Sequence, residues 1–208
     1  MNLQNYYYYF KSALTPRFCD ELIKYGKSKS DSLALTGSAQ NKKLDEKASK
    51  DLKKKRNSNI VWLDERWVYK EIHPYVHRAN QEAGWNFQWD FSEPCQFTKY
   101  KKGQYYGWHC DSWDQPYQRQ QGDPTHGKTR KLSVTVTLSD PKDYKGGELE
   151  FDFKNRDPDK KPNIKKCTEI LPRGSIIVFP SHVWHRVKPV AKGTRYSLVM
   201  WNLGYPFK

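Results

Sequence analysis

Acidic residues are in short supply: 23 Asp and Glu stand against 37 Lys and Arg in 208 residues, a net charge of +14 at pH 7. Cysteine is scarcer still. Cys19, Cys95, Cys110 and Cys167 share no metal-binding or redox spacing, so a reduced, intracellular protein is the plain expectation. No apolar run approaches the length of a membrane span, and mean hydropathy is −1.00, which argues against membrane-spanning helices. Met1 to Phe10 is Tyr-rich and lacks the basic, apolar and small-residue order of a signal peptide. Zinc-finger and RNA-recognition signatures are also missing, so the basic balance points to solubility before nucleic acid. Much of that charge lies in Asn41 to Asn57, where Lys42, Lys43, Lys47, Lys50, Lys53, Lys54, Lys55 and Arg56 outnumber three acids. A run of this kind is expected to be a solvated face or a mobile loop.

Aromatic residues are plentiful, and 8 Trp, 14 Tyr and 9 Phe can supply the core of one domain. Tyr6 to Phe10 predicts a strand laid against the main sheet. Thr15-Pro16 reads as N-cap and first helical residue of a helix to about Lys24, with Phe18, Leu22 and Tyr25 on one face. Ser28 to Asn59 is polar and weakly periodic, a loop able to fold over a substrate. Ile60 to Leu63 predicts a buried strand, and Glu65 to Ala83 a helix carrying Trp67, Ile72, Val76 and Ala79. His73 and His77 stand four apart on that helix, but no Glu lies between them and Pro74 follows His73, so they read as structural.

Further strands are predicted at Phe87 to Phe91, Pro94 to Tyr100, Leu132 to Leu138 (half-buried, with Ser/Thr alternating with apolar residues), Glu148 to Phe153, Lys166 to Leu171, Ser175 to Phe179, Trp184 to Val190 and Arg195 to Leu203. Between them lie a polar loop, Ser112 to Thr129, holding a solvent-facing His126, and a charged surface loop at Asn155 to Asn163. Many short strands with intervening turns predict a sandwich or barrel. Parity along the last strand predicts Arg195, Ser197, Val199 and Trp201 facing inward, with Tyr196, Leu198 and Met200 turned toward the helices or the other sheet.

The chemistry gathers in Tyr100-Lys-Lys-Gly-Gln-Tyr-Tyr-Gly-Trp-His109-Cys-Asp111. Strand alternation puts His109 and Asp111 on one face and Cys110 on the other. One imidazole and one carboxylate can fill two adjacent positions on iron, and a second histidine would complete a facial triad with positions left open. His185 lies ten residues before Arg195, whose planar fork suits a carboxylate, and Ser197 follows on the same strand face. His182 competes with His185, but it follows the Pro180-Ser181 turn signal and would stand thirteen residues from the anchor.

From Gln96 to Trp201, about half the chain, these residues resemble the iron(II)/2-oxoglutarate-dependent dioxygenases, in particular the prolyl-4-hydroxylase-like group with its PKHD-type hydroxylases. The resemblance implies that His109, Asp111 and His185 ligate the metal. It implies that Arg195, Tyr100 and Ser197 hold 2-oxoglutarate, and that Tyr105, Trp201 and Trp113 line the substrate pocket. Gly103 completes the Tyr-x-x-Gly-x-Tyr lead-in, and Gly146-Gly147-Glu148-Leu149 matches the family's Gly-Gly-Glu turn. Arg195 departs from the lysine usual in collagen-type prolyl hydroxylases and is closer to the oxygen-sensing and PKHD-type branches.

The implied fold is α+β, mainly β: a double-stranded β-helix (jelly roll) core at 94–205, with N-terminal helices in 1–93 packed on its major sheet, all in one domain. The implied activity is an iron(II)-, 2-oxoglutarate-, O2- and ascorbate-using hydroxylase of a proline residue in a protein or peptide, in the cytoplasm, or a host's cytoplasm were the chain viral. Hydroxylation of lysyl residues, a free amino acid or another small molecule is the alternative. A nucleic-acid demethylase fits less well, because that class places two arginines beyond the distal histidine, and a non-enzymatic jelly-roll binding module would leave the intact ligands unexplained. The sequence is silent on oligomeric state.

Overall fold

The computed structural model describes residues 2–29, 32–33, 55–112, 114–154 and 161–207. The described elements are β1 (Tyr8–Phe10), α1 (Pro16–Ser28), β2 (Ser32–Leu33), β3 (Arg56–Asn57), β4 (Asn59–Leu63), α2 (Arg66–Glu82), β5 (Phe91–Ser92), β6 (Cys95–Tyr100), β7 (Tyr105–His109), β8 (Thr129–Thr137), β9 (Tyr144–Gly146), β10 (Leu149–Asp152), β11 (Ile164–Lys166), β12 (Ile176–Pro180), β13 (Trp184–Val187), β14 (Val190–Gly193) and β15 (Arg195–Gly204). The chain is thus mostly β with two helices. An eight-stranded sheet runs β1-β12-β8-β15-β6-β4-β2, with β5 also paired to β15. A five-stranded sheet runs β11-β10-β13-β7-β3, and β14 pairs with β9. Each described pairing is antiparallel.

Strand parity builds the layers. On β8 and β15, Val134, Val136, Leu198 and Met200 join Leu22 of α1 and Val68, Ile72, Val76 and Ala79 of α2 in one buried cluster. On the other face of the large sheet, Tyr100, Ile177 and Phe179 meet Leu149, Phe151 and Val187 of the five-stranded sheet in a second. The large sheet therefore lies between the helices and the smaller sheet. The parity predicted for β15 holds, since Arg195, Ser197, Val199 and Trp201 line the space between the sheets.

The expectation of a half-buried strand at Leu132 to Leu138 is corrected by this layering. Ser133, Thr135 and Thr137 are as buried as Val134 and Val136, because the face they occupy is roofed by the second sheet and not by water. Alternation of Ser/Thr with Val reports two chemically different faces, and here the polar one is internal.

Local signals account for the helices. Thr15 caps α1 by accepting from the Phe18 N–H at 3.2 Å, with Pro16 in the first turn, and the helix runs on to Ser28, past the expected end near Lys24. Pro74 sits inside α2 on its exposed side, where the Lys70 carbonyl that loses its N–H partner is open to solvent, and Ile72 and Val76 keep the buried stripe continuous. Two predicted strands are shorter than expected. Only Phe91 of Phe87 to Phe91 is in a ladder, because the Asn80 amide satisfies both backbone groups of Phe87 at 2.9 Å. Lys166 to Leu171 leaves its strand after Lys166, and the Leu171 N–H closes a turn onto the Thr168 carbonyl at 3.1 Å. All four cysteines are free thiols, and among the described residues no helix is long and apolar enough to cross a membrane. Most of Ser28 to Asn59, and 155–160 of the charged loop, fall outside the described residues.

One glycine ties α1 to the sheet. A Cβ on Gly26 would lie 2.6 Å from the buried Phe97 ring, which stacks on Tyr196. Gly26→Ala gains about 1 kcal/mol of helix propensity but overpacks the interface, which costs roughly 1–3 kcal/mol. Net destabilisation in urea unfolding is expected, and a more stable variant would show that the helix–sheet interface has slack.

Candidate metal centre

His109 ends β7 and His185 lies on the neighbouring β13, and the two are directly opposed across the ladder. Asp111 follows two residues beyond the end of β7. Its own N–H and that of Ser112 both donate to the Ser181 carbonyl, at 2.8 and 2.9 Å, which pins the turn that swings the carboxylate toward the histidines. His109 Nε2 lies 3.7 Å from Asp111 Oδ1 and His185 Nε2 lies 3.6 Å from Oδ2. All three donor atoms fall within 4.8 Å of one another. Each imidazole places Nδ1 on a carbonyl two residues back, Gly107 at 2.8 Å and Val183 at 3.0 Å. An Nδ1–H donated there leaves the Nε2 lone pair aimed at the common point, the usual way a protein fixes the tautomer of a metal ligand.

The carboxylate is held as firmly. Ser133 Oγ donates to Asp111 Oδ2 at 2.7 Å and lies 2.9 Å from Ser181 Oγ. Burial pushes the Asp111 carboxyl up, but His185, His109, Arg130 and the Ser133 hydroxyl outweigh it, and its pKa falls to about 2. Burial, then the charge of His185, lowers His109 to about 3. At neutral pH His109 is therefore a neutral donor beside an ionised carboxylate. Two imidazole nitrogens and one carboxylate on one side of a space are the donor set of a non-haem iron(II) site. The residues present fit that metal.

Beyond the three donors the inner chamber is lined by Tyr100, Thr135, Leu149, Arg195, Ser197 and Trp201. Arg195 is 2% exposed, donates from Nη1 to Ser197 Oγ at 3.2 Å, and lies across the ladder from Tyr100, with the guanidinium 5.6 Å from that ring's centre. No carboxylate pairs with it among the described residues. A buried, unpaired guanidinium is costly unless an anion completes it. Thr137, opposite Ser197 on β8, has a buried hydroxyl without a partner, and so does the Trp201 indole nitrogen. The chamber thus holds a guanidinium without a carboxylate partner in the same space as the three metal donors, a combination that suits an anion able to reach both.

An outer cleft of about 500 Å³ meets this chamber at Gln96, Tyr106, Asp111 and Trp201. Arg130 lies in its wall, paired to Glu93 at 2.6 Å and 3.9 Å above the Trp201 ring. Tyr117, from the loop after Asp111, donates to Glu93 at 2.7 Å, so that loop does border the mouth.

Tyr105 is corrected by this geometry, because it lines neither space and Tyr106 lines both. Between His185↔His109 and Val187↔Tyr106, β7 spends three residues where β13 spends two. That β-bulge moves Tyr106 onto the face of His109, whose ring it stacks on at 3.5 Å. Cys110, expected to point away, lines the outer cleft, since the strand and its alternation end at His109. Arg56, expected in a solvated run, is 4% exposed, with its guanidinium 4.4 Å from the centre of the Tyr106 ring. Strand β3 pairs with β7 and draws it in. Trp113 lies outside the described residues. His73 meets Ser92 at 3.0 Å, His77 stacks on Trp89 and His126 contacts the Arg119 carbonyl at 2.6 Å, all away from the metal donors.

The profile of the 2OG-Fe(II) oxygenase superfamily matches residues 95–202. A PKHD-type hydroxylase of Synechococcus sp. (strain CC9902) is 38% identical over 104 residues, covering 50% of this chain and 38% of that protein. Another, from Xanthomonas campestris pv. campestris (strain B100), is 34% identical over 108 residues, 52% of this chain and 42% of that one. The chain spans about two-fifths of the length of these relatives. Among solved structures, a viral collagen prolyl hydroxylase from Paramecium Bursaria Chlorella virus-1 superposes with a TM-score of 0.65 at 22% identity, over 97% of both chains. A Pseudomonas putida prolyl-4-hydroxylase gives 0.67 at 18% identity, over 96% of this chain and 93% of that one.

Removing the Ser133 hydroxyl frees one side of Asp111. Ser133→Ala is expected to weaken iron(II) binding by roughly 10–100-fold, the usual cost of losing such a support. Anaerobic calorimetry on metal-free protein measures this, and unchanged affinity would make the Ser133 contact incidental.

His109 also sets a pH dependence. Its pKa drops from the ordinary 6.5 to about 3 on folding, so the unfolded chain binds more protons between those values and stability is lost as pH falls through them. Asp111, lowered from 3.8 to about 2, acts with the same sign further down. In metal-free protein His109→Gln is expected to flatten the upper part of this decline. Parallel profiles in urea unfolding would show that His109 is not its source.

Proposed function

The chain belongs to the 2OG-Fe(II) oxygenase superfamily, enzymes that use iron(II), 2-oxoglutarate and O2, and we propose that it hydroxylates a proline residue in a protein or peptide. The observation that carries this is the meeting, in one buried chamber, of a three-donor metal cluster with an unpaired arginine. A metal-binding module has no need of the second feature, and an anion-binding module has no need of the first.

His109, Asp111 and His185 would hold the iron. With 2-oxoglutarate and O2 bound, that metal supplies the oxidation, releasing succinate and carbon dioxide as one oxygen atom enters a C–H bond of the substrate. Arg195 with Ser197, beside Tyr100, would take the far carboxylate of 2-oxoglutarate and fix its orientation before oxygen enters. Tyr106 and Trp201 stand where chamber and cleft meet, placed to pack a substrate ring against the metal and exclude water. The Arg130–Glu93–Tyr117 network holds the cleft wall in place.

Two further features support the reading. The Synechococcus and Xanthomonas campestris relatives bear the name PKHD-type hydroxylase, and the superposed viral and Pseudomonas putida structures are prolyl hydroxylases. The cleft, at about 500 Å³, has the volume of a ligand site, and Trp62 and Glu93 lie in its wall. The facing antiparallel sheets are assigned as the double-stranded β-helix of a catalytic core at 94–205, with 1–93 as its support.

The test is succinate formation under air with iron(II), 2-oxoglutarate and ascorbate, with and without proline-containing peptides. Peptide-stimulated succinate, with one oxygen gained on proline, is expected, and His109→Ala or Asp111→Ala should abolish it. Stimulation by free amino acids or small molecules alone would replace the peptide substrate. Arg195→Ala should raise the 2-oxoglutarate requirement by roughly 10–100-fold, the value of a charged hydrogen bond of about 1.5–3 kcal/mol. An unchanged requirement would remove Arg195 from the anchor role.

A further inference from the structure

Adjacent residues of β8 serve two different spaces. Arg130 faces the cleft, whereas Lys131 lies against a separate groove of about 1030 Å³, formed by the connection before β5 and the segment after β15. Phe87, Trp89, Asp90, Tyr205 and Phe207 lie in its wall. Lys131 is 3% exposed, yet no carboxylate or other acceptor bonds its amine among the described residues. Its nearest recorded company is the Phe207 ring, whose centre lies 3.2 Å from Nζ. Asp90 is the one acid in the wall, and Lys128 already pairs with it at 2.8 Å.

The Lys131 stem is buried while its ammonium opens on the groove with an aromatic face as its recorded neighbour, which leaves room for a counter-ion. Burial alone lowers its pKa to about 8. Phe207 and Tyr205 are exposed, and Phe87 meets Phe207 edge-on at 4.8 Å, so the groove offers flat apolar surface next to a charge that lacks a counter-ion. A ligand that brings one negative charge and an aromatic body would satisfy both.

We propose that this groove is a second binding site, separate from the metal centre, for a small aromatic monocarboxylate whose carboxylate pairs with Lys131 and whose ring lies on the aromatic wall. The inference does not rest on the hydroxylase reading.

Benzoate is the probe, with benzamide as its neutral counterpart, titrated calorimetrically into the 208-residue protein. Saturable benzoate binding at least about tenfold tighter than benzamide is expected, as one charge-assisted hydrogen bond would give. Lys131→Met should erase that preference, whereas Arg195→Ala should leave it. Bound benzoate should also slow acetylation of Lys131 by acetic anhydride near pH 8, read by peptide mass spectrometry on the unaltered protein, so a misfolded variant does not remove the test. No saturable binding at millimolar benzoate would overturn the proposal. So would equal affinity for benzamide, an unprotected Lys131, or loss of binding in Arg195→Ala alone, which would put the probe in the inner chamber.

Discussion

One buried carboxylate organises the centre of this protein. Asp111 lies at the end of a strand, held by the Ser133 hydroxyl and backed by two N–H groups on the Ser181 carbonyl, with both histidine Nε2 atoms within 3.7 Å. Such a group stays ionised in a desolvated place only if nearby charges and donors compensate it. The elements that do so come from four parts of the chain: β7, β8, the turn before β13, and β13 itself. The sheets must therefore close in one register for the site to exist, which ties the fold and the metal donors to the same hydrogen bonds.

The large sheet serves two chemistries because its strands have two faces. Val134, Val136, Leu198 and Met200 close the helix layer, while Thr135, Arg195 and Ser197 on the same strands line the chamber and Ser133 holds Asp111. A polar residue turned into the space between sheets is costly unless it is used. Here Ser133 holds Asp111, whereas Arg195 and Thr137 keep capacity to spare. Arg195 shares the chamber with the metal donors. In the outer cleft Arg130 and Glu93 neutralise each other beside the Trp201 ring.

Much of this was legible in the chain. His109-x-Asp111 and the ten-residue step from His185 to Arg195 carry the family resemblance, and the parity of β15 places Arg195, Ser197 and Trp201 by alternation within one strand. The Thr15-Pro16 cap and the Ile72, Val76, Ala79 stripe are local in the same sense. Misreadings arose where a partner strand decides. The resemblance implied Tyr105 in the pocket, whereas the bulge opposite His185 turns Tyr106 onto the face of His109. Ser133 was assigned to water because sequence marks a polar face without saying what covers it. Arg56 was absorbed into a lysine-rich run, although pairing of β3 with β7 buries it.

By itself, the sequence determined the kinds of donor, their order and the spacing that puts each on a given face of its own strand, since backbone geometry fixes a period of two whatever the surroundings. Tertiary structure decided which face becomes interior, which tyrosine reaches His109, and which charges end without a partner, Arg195 in the chamber and Lys131 in the groove. Those outcomes depend on register and cover between segments far apart in the chain, and a shift of one residue in pairing would reverse them.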